Sequence, residues 1–180
     1  MGTTCCALGQ YNRLIPYAEM NVDRTLEIEL GRLLRLRGWT LSTAESCTGG
    51  LIADRITDVP GSSDYFTGGF VSYAYEAKVA SLGVSWDTLH KHGAVSCETV
   101  LEMARGARTA LGADVAVSVS GIAGPGGGLP EKPVGPTWIG LVTPDGEQAE
   151  VFYWKGDRRE NKELSADAAL KMVISYLEKA

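Results

Sequence analysis

Thr43-Ala44-Glu45-Ser46-Cys47-Thr48-Gly49-Gly50 is the stretch on which the reading of the whole chain turns. An apolar run with Trp39 and Leu41 precedes it, and Leu51, Ile52 and Ile56 follow at helical spacing, so it stands where a strand turns into a helix. The first turn of a helix carries unpaired N–H groups and the positive end of the macrodipole, which suits it to hold an anion or a developing oxyanion. Ser46 is therefore a candidate nucleophile. By itself the stretch has a blander reading, in which Ser46 or Thr48 caps the helix and Gly49 and Gly50 allow a tight turn. Its meaning depends on the rest of the chain.

Working outward, a helical pattern begins at Asn21 or Asp23, carries Leu26, Leu30, Leu33 and Leu34 on one face, and stops at Gly38. The segment Trp39 to Thr43 reads as a short strand, and the helix after the octapeptide ends near Val59-Pro60-Gly61. Ser62 to Gly69 reads as a polar connection, and Gly69 to Tyr73 as a strand. Tyr73, Tyr75 and Lys78 follow it, and a helix from Tyr75 puts Lys78 one turn in. On spacing alone a lysine there is a solvated surface residue.

Further on, Trp86 to His92 reads as a short helix and Ser96 opens a longer one with Val100, Met103, Ala104, Ala107 and Leu111 as its apolar stripe. Met103 reads as core, and His90 and His92 as surface residues. Asp114 to Ser120 alternates small and β-branched residues, as a buried strand does, and runs into Gly121-Ile122-Ala123-Gly124-Pro125-Gly126-Gly127-Gly128. Five glycines in eight residues let backbone amides approach a ligand closely. The loop lacks both the P-loop ending and the dinucleotide-fold spacing, and a flexible connector is its alternative reading. Pro130 to Pro136 stays extended, Thr137 to Val142 is a strand, Asp145-Gly146 signals a hairpin, and Gln148 to Trp154 returns as its partner. Gly156-Asp157-Arg158-Arg159 then opens a C-terminal helix. Cations are electrostatically disfavoured at a helix start, which makes Arg158 and Arg159 candidate anion ligands.

Strands separated by helices and closing in a hairpin predict a single-domain three-layer α/β/α sandwich with a mixed β-sheet over residues 21–180, with residues 1–20 as a loose extension. The octapeptide, the Tyr73/Lys78 pair and the glycine loop all follow strands, so this architecture can gather them on one sheet edge. With 180 residues and 44% hydrophobic content the chain can bury a core without metal or disulfides. The 17 Lys and Arg against 22 Asp and Glu, a net charge of −5, leave no basic stretch for a nucleic-acid backbone. Four cysteines without a framework or metal-ligand spacing point to a reducing, cytoplasmic setting. No run approaches the roughly eighteen apolar residues that span a bilayer, and the Met1-Gly2 start carries Cys6 where a myristoylation signal wants Ser or Thr. No direct nucleic acid, no membrane and no metal are expected as partners of the site.

Taken together, Thr43 to Gly50, Val59-Pro-Gly-Ser-Ser63, Tyr73 with Lys78, His92-Gly-Ala-Val-Ser96, Gly121 to Gly127, Lys132-Pro-Val-Gly135 and Gly156-Asp-Arg158 resemble the CinA C-terminal domain family. The resemblance runs in order from about residue 22 to the end. The chain departs from the family pattern at Pro136, where a small or β-branched residue is usual, and with no room for a preceding molybdopterin-binding-like domain it is similar to the stand-alone form.

The resemblance implies an amidase that converts nicotinamide mononucleotide to nicotinate mononucleotide and ammonia without a cofactor, in pyridine-nucleotide recycling, and a homo-oligomer. It implies Ser46 as nucleophile, Lys78 as general base and Tyr73 as a supporting hydroxyl. A lysine base must be neutral near pH 7, so Lys78 is expected to be desolvated. Oxyanion donors are expected among the N–H groups from Cys47 through Thr48 and Gly49 to Gly50. The ribose phosphate is expected on the loop with Gly121, Ala123, Gly124 and Gly126 together with Arg158 or Arg159. Glu45 either orients the ribose or the motif, or binds its neighbours' amides. Cys47 is a rival nucleophile, because a thiol at a helix N-terminus has a lowered pKa. The competing class is a catalytically silent nucleotide-binding or regulatory module linked to competence or DNA damage.

Overall fold

The computed structural model describes residues 25–124 and 136–180. The expected extension 1–20, the Asn21 or Asp23 cap, Gly126 and Lys132 to Gly135 lie outside the described residues. Five strands form one mixed sheet in the order β2-β1-β3-β4-β5, with β1 (Leu41–Glu45), β2 (Phe66–Val71), β3 (Val115–Gly121), β4 (Pro136–Thr143) and β5 (Gly146–Tyr153). β1 runs parallel to both β2 and β3, whereas β4 is antiparallel to β3 and to β5. The parallel trio therefore ends at one edge of the sheet, where β1 delivers Ser46, β2 delivers Ser72 and Tyr73, and β3 delivers the glycine loop.

The two-residue period of β3 explains the three layers. Val115, Val117 and Val119 pack with Leu30, Leu33 and Leu34 of α1 (Thr25–Arg37), Ile52 and Ile56 of α2 (Leu51–Thr57), and Leu170 and Val173 of α6 (Arg158–Leu177). On the other face Ala116 and Ala44 pack with Leu82 of α3 (Tyr75–Leu82), Leu89 of α4 (Trp86–His92), and Met103, Ala104 and Ala107 of α5 (Cys97–Leu111). The small side chains on that face admit α5 closely, and Ser118 Oγ donates to the Val100 carbonyl. This is the expected α/β/α sandwich with a mixed sheet. No described helix is long and apolar enough to cross a membrane.

Three local expectations are corrected. β1 runs two residues further than its apolar run suggests, so Glu45 ends the strand and Ser46 is the first residue beyond it. β2 begins at Phe66 rather than Gly69, because pairing to β1 overrides the poor strand propensity of Gly68 and Gly69. Gly69 also has to be a glycine: a Cβ there would stand 2.1 Å from Thr43 Oγ1. Neither Ser46 nor Thr48 caps α2. Its N-cap is Gly50, with a left-handed φ of 98° and no side-chain cap of its own. Pro136, the departure noted in the sequence, is the first residue of β4, a position proline tolerates because its missing N–H interrupts little of the ladder.

Candidate active site

Ser46 leaves β1 with its N–H donated to the Val119 carbonyl of β3, which pins the residue to the sheet edge. Its side chain is only 7% exposed. The following turn carries Gly49 at φ 66° and Gly50 at φ 98°, left-handed conformations that a Cβ would strain. Glu45 holds this turn from beneath: its carboxylate accepts from the N–H groups of Gly50 (2.9 Å), Ile52 (3.1 Å) and Ala53 (2.9 Å). The anion at the α2 N-terminus is thus the protein's own Glu45, and the alternative in which Glu45 binds its neighbours' amides is the one seen. Gly49 N–H donates to the Ser46 carbonyl. The candidate oxyanion donors narrow to the N–H groups of Cys47 and Thr48, both of which lie against the Cys47 sulfur.

Lys78 sits one turn into α3 and is 0% exposed, in contrast to the surface reading that spacing alone suggests. Its Nζ donates to Ser46 Oγ (3.0 Å), to the Ser72 carbonyl (2.6 Å) and, at 3.5 Å, to the Tyr73 carbonyl. The two carbonyls at the end of β2 aim the amine at the serine. Burial lowers the Lys78 pKa to about 8, against a smaller upward pull from the neighbouring Cys47. The Cys47 thiol moves the other way, up to about 11, chiefly through burial. The lowered thiol pKa expected at a helix N-terminus does not arise, because the thiol is shut away from water and Glu45 adds a nearby negative charge.

Tyr73 is placed differently from its expected role. Its side chain is 60% exposed, and its hydroxyl accepts from Arg158 Nη2 (2.8 Å) rather than meeting Lys78 or Ser46. Only its backbone carbonyl faces the amine. Arg158 also donates from Nη1 to the Gly124 carbonyl (2.8 Å), so it ties the end of β2 to the glycine loop. Gly121 closes β3, and the Ala123 carbonyl accepts from Asn161 Nδ2 (3.0 Å). Arg159 is exposed in the first turn of α6, where the Asp157 and Glu160 capping box offsets both arginines. Arg158, Arg159, Lys162, Leu51 and Glu163 line a groove of about 400 Å³ beside the Ser46 turn.

Sequence reasoning missed the Ser72 carbonyl, Asn161 and Lys162. A backbone acceptor leaves no trace in residue type, and Asn161 meets Ala123 across 38 residues of chain. Lys162, four residues after Arg158, carried the only signal available, a third cation at helical spacing.

A serine held by a buried, partly neutral lysine at a strand-to-helix edge is the arrangement that the family resemblance anticipates. The model of the CinA C-terminal domain matches residues 23–177. The chain belongs to the CinA C-terminal domain family. A CinA-like protein of Chloroherpeton thalassium is 49% identical over 92% of this chain and 40% of its own length, and a CinA-like protein of Desulfosudis oleivorans is 56% identical over 81% and 36%. The crystal structure of a competence-damaged protein (CinA) superfamily protein from Klebsiella pneumoniae superposes with a TM-score of 0.84 at 33% identity, covering 87% of this chain and 98% of that one. This chain therefore corresponds to about two-fifths of the length of the curated CinA relatives it matches, and to nearly all of the solved CinA-superfamily protein.

Proposed function

We propose that this CinA-family chain is a serine-lysine amidohydrolase that deamidates nicotinamide mononucleotide to nicotinate mononucleotide and ammonia. The observation that carries the reading is the 3.0 Å contact between fully buried Lys78 Nζ and Ser46 Oγ. A serine hydroxyl is a weak nucleophile until a base takes its proton, and an ammonium cannot be that base. A lysine brought to about 8 is neutral in roughly a tenth of molecules at pH 7, enough to supply a base. The nucleotide amide as substrate rests on the family resemblance and is supported by the cations of the adjoining groove.

In this reading Ser46 Oγ attacks the carboxamide carbon as its proton passes to Lys78 Nζ. The oxyanion of the tetrahedral adduct takes the N–H groups of Cys47 and Thr48, and losing one such donor typically costs ~3 kcal/mol of barrier. Collapse breaks the C–N bond, and Lys78 returns the proton to the departing nitrogen, releasing ammonia and leaving an acyl ester on Ser46. A water, deprotonated by Lys78, then attacks the ester carbon. The carboxylate leaves and Ser46 recovers its proton. One amide and one water thus yield one carboxylic acid and one ammonia.

Ammonia release from nicotinamide mononucleotide by the purified chain tests the reading. Activity in the wild type, with a loss of 1,000-fold or more in both Ser46→Ala and Lys78→Ala, is the expected outcome, on the order of the losses seen when a nucleophile-base unit is broken. A folded wild type that binds the nucleotide without releasing ammonia would favour the regulatory-module reading instead.

A further inference from the structure

Of the three cations that line the groove beside the Ser46 turn, Lys162 is the one that is half-buried. Lys162 is half-buried on α6, and its Nζ lies 3.7 Å from where a Cβ on Gly49 would stand, so the amine hangs directly over the turn that follows the candidate nucleophile. Its neighbours are already committed. Arg158 is bonded to the Gly124 carbonyl and to Tyr73 Oη, Glu163 faces Arg55 (3.9 Å), and Asp167 takes Arg55 (2.8 Å) and Lys171 (3.9 Å). Among the described residues no carboxylate pairs with Lys162.

A half-buried ammonium has lost part of its hydration and gains most from an anion that replaces it. Among the described residues no side chain supplies that anion. Nor can a ligand's anion use the start of α2 beside it, because Glu45 already occupies the amides of Gly50, Ile52 and Ala53. The groove of about 400 Å³ that Lys162 shares with Leu51, Arg158 and Arg159 includes the first residue of α2, directly after the turn that Ser46 opens.

Resting on the amidase reading, we propose that Lys162 is the specificity-determining residue that receives the substrate's phosphate monoester and so separates the nucleotide from its uncharged nucleoside. Lys162 is a positioning residue for binding: it lies outside the Ser46/Lys78 pair and takes no proton in the reaction. Arg159, exposed on the same groove, adds long-range attraction that salt screens.

The test compares ammonia release from nicotinamide mononucleotide and from nicotinamide riboside by the wild type, Lys162→Gln and Lys162→Arg. The readout is the ratio of kcat/KM for the phosphorylated and unphosphorylated amides, which is independent of the fraction of active protein. In Lys162→Gln that ratio is expected to fall about ten- to hundredfold, through KM rather than kcat, as loss of one charge-assisted contact predicts, and to return most of the way in Lys162→Arg. An unchanged ratio overturns the proposal. If the wild type releases ammonia from neither amide, the amidase reading fails on its own, and ribose 5-phosphate binding by calorimetry decides the anion site separately. Binding weakened tenfold or more in Lys162→Gln sustains it, and equal binding in both proteins, or binding in neither, overturns it.

Discussion

Lys78 carries two conflicting demands. Complete burial strips its hydration and brings the amine to about 8, yet the carbonyls of Ser72 and Tyr73 and the Ser46 hydroxyl keep it aimed. With the neutral amine as the working form in the amidase reading, kcat/KM is expected to rise about tenfold per pH unit below the Lys78 pKa and to level off above about 8. A profile flat from pH 6 to 9 would count against Lys78 as the base. The adjacent Cys47, raised to about 11, is a neutral thiol throughout that range and is the weaker nucleophile candidate for that reason.

At the scale of an element, the turn between β1 and α2 depends on one buried carboxylate. Glu45 satisfies three of the orphan N–H groups at the start of a seven-residue helix too short to persist without tertiary support. Glu45→Gln keeps the shape but replaces one acceptor oxygen by a donor facing N–H groups. The expected result is a loss of about 2–3 kcal/mol in chemical denaturation, the range for charge-assisted hydrogen bonds. Ammonia release should fall as well, since the Ser46 turn hangs on the same bonds. Full stability in this variant would mean that the two glycines hold the turn unaided. On α6 the same logic runs in reverse: the Asp157 capping box supplies the negative charge that lets Arg158 and Arg159 stand where cations are disfavoured.

Across the whole molecule, the burial that would make Lys78 a base also costs folding stability. The unfolded chain holds the Lys78 proton up to its ordinary value of 10.5, whereas the folded chain releases it at about 8. Between those values the unfolded state binds more protons, so folding stability attributable to Lys78 rises with pH across about 8 to 10.5, and its full burial penalty is present below about 8. Lys78→Met, apolar and similar in length, should therefore be inactive. Its stability relative to the wild type should be greatest below pH 8 and decline toward pH 10.5. Thermal unfolding at pH 7 and pH 10 measures this, with roughly 2–4 °C of midpoint shift for each kcal/mol in a chain of this size. A difference independent of pH would show that Lys78 titrates normally.

The sequence by itself determined the layers and the edge at which chemistry could gather. The alternation of Val115 to Val119, the helical stripes of α1 and α5 and the Asp145-Gly146 turn are local patterns, and local patterns report which face is buried. Ser46 and Lys78 were legible as a pair only through several motifs read together, since spacing alone puts the lysine at the surface. What lay beyond reach were contacts between groups distant in the chain, or groups without side-chain identity: Glu45 filling the α2 N-terminus, the Ser72 carbonyl aiming Lys78, Tyr73 Oη turned to Arg158, and Lys162 over Gly49. Residue type sets what a side chain can do. Only the packing of one element against another decides which partner it meets, how far it is stripped of water and where its pKa settles, and those are the quantities on which this site's chemistry depends.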